Sequence, residues 1–200
     1  MRPTNLAVLV VFLFCVGVGG AYVIATQPTK SQTEGKALIG GPFSLVDTDG
    51  KRVTDRDLQG KLMLVFFGYT HCPDVCPTEL QTMAEVIDKL GPDADKVAPI
   101  FISVDPSRDT PQALSAYVKN FSPRIIGLTG DASEVASVAK AYRVYFRKNG
   151  DTNGEYTVDH SAFVYLMDGQ GNYLTHFPFD TTSDVMTSVI KKHIVADKGA

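Results

Sequence analysis

From Leu6 to Ala25 the chain runs for 20 residues without a charge. An uncharged apolar run of about 18 or more is the mark of a membrane-spanning helix, whereas a secretory h-region has only about 7–15 residues. At about 1.5 Å per residue this run matches the roughly 30 Å of bilayer hydrocarbon. Residues 1–25 therefore read as a membrane anchor, or uncleaved signal, with a cleavable signal peptide as the rival reading. Residues 26–36 carry Gln, Thr, Ser, Pro28 and Gly35 and read as a linker. The remainder, 37–200, is the expected folded domain.

Within that domain the pattern alternates between strand and helix periods. Phe43 to Asp47 and Val53-Thr54 flank Thr48-Asp-Gly50, which predicts a hairpin with an Asp-Gly turn. Leu62 to Phe67 and Val97 to Val104 are continuous apolar runs, as expected of strands covered on both faces. Between them Leu80, Met83, Ala84, Ile87 and Leu90 recur at helical spacing. A second helix is predicted through Leu114, Tyr117, Val118 and Phe121, with Pro111 suited to its first turn. Ile125 to Leu128 is a short strand, and Asp131 with Glu134 forms a capping-box signal for a helix over 131–143. Ala162 to Met167 and Tyr173 to Phe177 flank the turn Asp168 to Gly171, and Val185, Val189 and Ile190 mark a closing helix. A βαβ half joined to a ββα half predicts an α/β, thioredoxin-like fold. The N-terminal β-hairpin and the helix near 131–143 are insertions into that plan.

Composition narrows the function classes. With 44% hydrophobic residues the chain can bury a core, and its 19 basic residues among 22 acids give a net charge of −3. A nucleic-acid binder needs a basic stripe, so that class is excluded. Three cysteines are too few for a disulfide-built scaffold. Cys15 lies in the apolar run and reads as a silent thiol. Cys72 and Cys76 are the informative pair.

These two lie in Gly68-Tyr-Thr-His-Cys-Pro-Asp-Val-Cys-Pro-Thr-Glu-Leu80, at a strand-to-helix junction. Free N–H groups at a helix start favour a thiolate there, and Pro77 can open the helix without losing a needed donor. The redox motif proper is Cys-x-x-Cys; the spacing here is one residue wider and suits two sulfurs reaching one ion. Two thiolates make an incomplete site, so a third ligand is sought. His193 and His176 read as ordinary residues of the last helix and the late hairpin, and His71 as a structural neighbour of Cys72. His160 precedes the strand start that faces the cysteine loop in a thioredoxin-like fold, which makes it the third-ligand candidate. Two sulfurs and an imidazole select copper or zinc, and an exported, redox-exposed site fits copper better. Met63, Met83, Met167 and Met186 fall in core patterns and need no copper role. A Cys72–His160–Asp159 nucleophile arrangement leaves Cys76 unexplained.

The cysteine segment, together with Val104-Asp-Pro-x-Arg-Asp-Thr-Pro111 and Asp159-His160, resembles the Sco/SenC copper metallochaperones. The resemblance covers about residues 37–195. It implies a membrane-anchored thioredoxin-like domain that binds one copper ion, Cu(I) or Cu(II), through Cys72, Cys76 and His160. It also implies a role in assembling the CuA centre of cytochrome c oxidase subunit II, with another copper chaperone as a possible donor. A bacterial member would sit in the inner membrane with its domain facing the periplasm. Asp105 and Asp159 are candidates for supporting the ligands from behind. The competing function is a thiol-disulfide oxidoreductase that reduces the CuA-site cysteines. Against a general reductase, His160-Ser161 stands where redox thioredoxins have a cis-proline. A peroxidase reading is weaker still.

Overall fold

The computed structural model describes residues 39–150 and 156–197. The expected membrane anchor and linker lie outside them. Among the described residues no helix is long and apolar enough to cross a membrane.

The elements in chain order are β1 (Ser44–Asp47), β2 (Arg52–Thr54), β3 (Leu62–Gly68), α1 (Val75–Leu90), β4 (Val97–Ser103), α2 (Pro111–Val118), β5 (Ile126–Thr129), α3 (Ala132–Ala141), β6 (Phe146–Gly150), β7 (Tyr156–His160), β8 (Phe163–Met167), β9 (Tyr173–Pro178) and α4 (Ser183–Asp197). Seven strands form one sheet in the order β2-β1-β5-β4-β3-β8-β9. Strands β3, β4 and β5 run parallel, and β1, β8 and β9 join antiparallel to their neighbours. This is the thioredoxin-like plan, with the β1–β2 hairpin added beside β5 and α3 inserted before the ββα half.

Every residue of β3 and β4 is buried, which explains why both read as unbroken apolar runs rather than alternating ones. Local chemistry sets the boundaries. Asp131 caps α3 by accepting from the Ser133 and Glu134 backbone N–H groups at 2.8 Å, and Glu134 returns a bond to the Asp131 N–H at 2.9 Å. Thr110 accepts from Ala113 N–H at 3.2 Å to start α2 with Pro111 in its first turn. Lys89 of α1 donates to Ser183 Oγ and Asp184 Oδ1, both at 2.7 Å, and fastens α1 to the start of α4. The four methionines expected in the core are buried. In α4 the core face is Met186, Ile190 and Ile194, while Val185 is exposed.

One pair of strands is absent from the sequence reading. Strands β6 and β7 make a separate antiparallel ribbon, with Phe146 opposite His160 and Gly150 opposite Tyr156. Only Val158 of the ten strand residues is fully buried, so the apolar signal was too thin to register. His160 is the last residue of this ribbon and leads into β8.

Glu79 is a buried carboxyl in α1, 1% exposed, with Oε2 lacking a hydrogen-bond partner. Burial pushes its pKa up to about 7, against a smaller lowering by the Asp180 backbone N–H. An acid raised in the folded state carries a proton there that the unfolded chain releases at lower pH. Stability is therefore fully present below the unfolded value near 4.5 and is lost as pH rises towards 7. Urea unfolding across this window should show a decline on the order of 3 kcal/mol. The E79Q variant should lack that component; an unchanged pH profile would remove Glu79 as its source.

Candidate metal centre

Strand β3 ends at Gly68, and the chain then turns through Tyr69 to Asp74 before α1 begins at Val75. Cys72 sits in this loop, half-buried, and Cys76 in the first turn of α1, buried; both are free thiols. The α1 N-cap residue, Asp74, makes no side-chain capping bond. Instead Cys72 Sγ accepts the Cys76 backbone N–H at 3.4 Å, so a sulfur takes one of the free donors of the helix start. His160 arrives from the far end of the chain. Its Nε2 lies 3.3 Å from Cys76 Sγ, and the ligand atoms of Cys72, Cys76 and His160 all lie within 4.8 Å of one another.

The imidazole is held on three sides. Its Nδ1 is 3.1 Å from the Ser161 carbonyl, which favours the proton on Nδ1 and leaves the Nε2 lone pair facing the sulfurs. Tyr69 meets the ring edge-on at 5.8 Å between centroids, and Phe66 does so at 6.0 Å.

The two thiols are strongly inequivalent. A hydrogen bond from the Cys76 side chain, with smaller contributions from backbone N–H groups and against the opposing effect of burial, holds Cys72 far below the usual thiol range. Burial, and then the neighbouring Cys72 sulfur, push Cys76 upward. The pair thus shares one proton, with Cys72 as thiolate and Cys76 as thiol. Two soft sulfurs beside an available imidazole nitrogen are a donor set for a soft or borderline ion, and copper fits it.

Room for Cys76 comes from Gly68. A Cβ there would lie 2.6 Å from Cys76 Sγ and 2.8 Å from the Phe101 ring. Gly68→Ala is expected to cost roughly 1–3 kcal/mol by overpacking, read by urea unfolding, because both neighbours are fully buried. No loss of stability would mean that Cys76 moves freely in its pocket.

The loop after β4 supports both halves of the site. Asp109 is completely buried. It accepts from Thr70 N–H at 3.0 Å, Thr70 Oγ1 at 2.6 Å and Ser103 Oγ at 2.6 Å, pinning the turn that leads into Cys72. Asp105, also completely buried, lies against the β6–β7 ribbon and touches none of the three candidate ligands directly: Tyr156 donates to its two oxygens at 2.7 and 2.9 Å, and Arg108 Nε at 2.5 Å. Asp159 is exposed and accepts from Asn149 Nδ2, while the His160 ring takes the Ser161 carbonyl as its partner. Asp159 therefore does not hold the ring itself, because β-strand alternation turns neighbouring side chains to opposite faces; its bond to Asn149 lies within the ribbon that carries His160.

Of the other histidines, His71 is exposed and within 3.0 Å of Thr70 Oγ1, and His176 lies 2.5 Å from Tyr173 Oη on β9. Neither joins the three-residue cluster. Gly68, Tyr69, Thr70 and Asp109 lie inside the sequence motifs and acquire their roles only in the fold, and Tyr156 lies outside any motif. The alternation Tyr156, Val158, His160 was the available signal for the last.

The residues 31–195 match the SCO1/SenC family model. A curated Arabidopsis thaliana relative, "Protein SCO1 homolog 1, mitochondrial", is 43% identical over 197 residues, 91% of this chain but 59% of its own length. The chain thus spans about three fifths of that relative. The solved structure of Bradyrhizobium japonicum ScoI with copper bound is 51% identical, with a TM-score of 0.73 over 77% of this chain and 98% of that one. A structure of BsSco, described as a Sco family cytochrome c oxidase assembly protein with a disulfide switch, is 28% identical with a TM-score of 0.61, covering 76% of this chain and 91% of that one.

Proposed function

The chain belongs to the SCO1/SenC family, and from that membership and the donor set we propose that it binds one copper ion through Cys72 Sγ, Cys76 Sγ and His160 Nε2 and serves in assembling cytochrome c oxidase. In this reading the copper is cargo for the CuA centre of subunit II, and another copper chaperone is the possible donor. The chain is held in a bacterial inner membrane by residues 6–25 with the domain in the periplasm. The single observation that carries the proposal is the convergence of two sulfurs and an imidazole within 4.8 Å from segments 84 residues apart. Copper bound in the Bradyrhizobium relative supports the choice of metal.

The residues divide the work. Cys72 offers a sulfur with a lowered proton affinity at the loop surface, Cys76 a second sulfur from the buried side, and His160 its Nε2, with Nδ1 turned to the Ser161 carbonyl. Three ligands leave a coordination position through which an acceptor's own ligand can enter, which a carrier of cargo requires.

One observation favours a second activity. A thiolate at Cys72 beside a protonated Cys76 is the arrangement of an attacking and a resolving thiol. Cys72 Sγ would attack one sulfur of a substrate disulfide and expel the other as thiolate. Cys76, losing its proton, would then attack Cys72 Sγ and release the second thiolate. Two electrons pass to the substrate with the single Cys76 proton, water supplies the second proton, and Cys72–Cys76 becomes a disulfide.

Metal analysis of the purified protein with absorption spectra after Cu(II) addition tests the main reading. Near-stoichiometric copper and a thiolate-to-copper charge-transfer band that vanishes in C72S and C76S are expected. Disulfide exchange with subunit II without any copper retention would leave only the reductase.

A further inference from the structure

The β6–β7 ribbon carries the only histidine in the three-residue cluster, yet it shares no strand pairing with the main sheet. A two-stranded ribbon is marginally stable on its own, so something else fixes where His160 stands. Packing supplies part of this through Val158. Tyr69 adds a polar contact with the Val158 backbone, and the larger group of polar contacts lies towards the other end, around Asp105.

Asp105 is met from three directions. Tyr156 of β7 donates to both its oxygens, Arg108 Nε lies 2.5 Å away, and Lys148 Nζ of β6 lies 3.2 Å away. Arg108 also donates through Nη1 to the Tyr156 carbonyl at 3.0 Å and lays its guanidinium 3.7 Å from the Tyr156 ring centroid. Lys148 donates to the Tyr156 hydroxyl at 3.2 Å and to Ser107 at 3.1 Å. Both strands of the ribbon are therefore tied to one buried carboxylate. The base of the tie is rigid, since the Asp105 N–H is held by Ser103 Oγ and the Asp109 N–H by the Asp105 carbonyl, both at 3.0 Å. The same short loop holds the cysteine turn through Asp109. Arg108 additionally lies 5.7 Å from the ring of Tyr69, whose other neighbour is His160.

We propose that Asp105 is a positioning residue for the metal centre: acting through Tyr156, Arg108 and Lys148, it fixes the β6–β7 ribbon on the loop that also anchors the cysteine turn, and so sets the distance from His160 to the two sulfurs. This rests on the three-ligand reading above. The carboxylate never touches the metal; its influence passes along β7 from Tyr156 to His160. Outer partners of this kind are worth about 10–100-fold in metal affinity.

The full-length protein in its membrane or detergent form is titrated with Cu(I) against a competing chelator, and its Cu(II) form is examined by electron paramagnetic resonance. D105N is the direct variant. Y156F removes the hydroxyl alone and carries the test should D105N fail to fold, since loss of Asp105 leaves a part-buried guanidinium without its carboxylate. Each is expected to lower copper affinity about 10-fold and to weaken the imidazole nitrogen coupling. Added to H160A, neither should lower affinity further, because its effect runs through that ring. In metal-free protein, amide exchange at 146–150 and 156–160 should accelerate in both variants while β3 and β4 stay protected. Parent-like affinity and ribbon exchange in Y156F, or an equal further loss of affinity in the H160A background, would overturn the proposal. H160A with full copper affinity would overturn the ligand assignment itself, and is read separately.

Discussion

Cys76→Ser is expected to lower copper affinity by more than about 100-fold, beyond the range of any outer partner. A hydroxyl is a hard donor that stays protonated at neutral pH, and here it would face His160 across 3.3 Å from inside the protein. The same residue governs the pH dependence. In the proposed site copper would take both sulfurs as thiolates. Cys72 is already held below the usual thiol range and Cys76 above it, so binding near neutral pH expels the Cys76 proton. Affinity in the parent should therefore rise by about tenfold per pH unit through the neutral range. Chelator competition at several pH values reads both effects. A Cys76→Ser protein that kept the parent's affinity and slope would exclude the buried sulfur as a ligand.

Asp109→Ala is the largest expected stability change. The carboxylate has no exposure and accepts from one backbone N–H and two hydroxyls. Each buried donor left unsatisfied costs about 1–3 kcal/mol. Three hydrogen bonds to a charged acceptor are lost, each worth about 1.5–3 kcal/mol; the hydroxyls recover part of this by turning elsewhere but the Thr70 N–H cannot, which puts the total at roughly 4 kcal/mol. Copper affinity should fall with it, since Thr70 precedes the cysteine loop. Chemical unfolding and copper titration on one preparation check both. A loss below about 1 kcal/mol would mean that water replaces the carboxylate.

The elements legible from the chain were those whose burial was complete or whose chemistry was local. Continuous apolar runs announced β3 and β4 because both faces of each are covered. Asp131 and Glu134 announced α3 because a capping box lies within four residues. The β6–β7 ribbon stayed hidden: its partners are a carboxylate and a guanidinium about 50 residues away, and no periodicity encodes such contacts. Asp159 illustrates the converse. Adjacency to His160 made it look like a supporting group, but neighbours on a strand point apart, and the ring's partner is a backbone carbonyl that every residue possesses.

The sequence by itself determined the alternation of strands and helices, the identity of the three candidate donors and the family. These follow from residue type and spacing, which the chain carries directly. Only the tertiary structure decided that His160 and Cys76 stand within contact of each other, that the proton affinities of the two thiols are pushed in opposite directions, and that a single loop braces both segments carrying the candidate ligands. Distances and proton affinities depend on which groups exclude water from one another, and that is a property of packing between segments far apart in the chain.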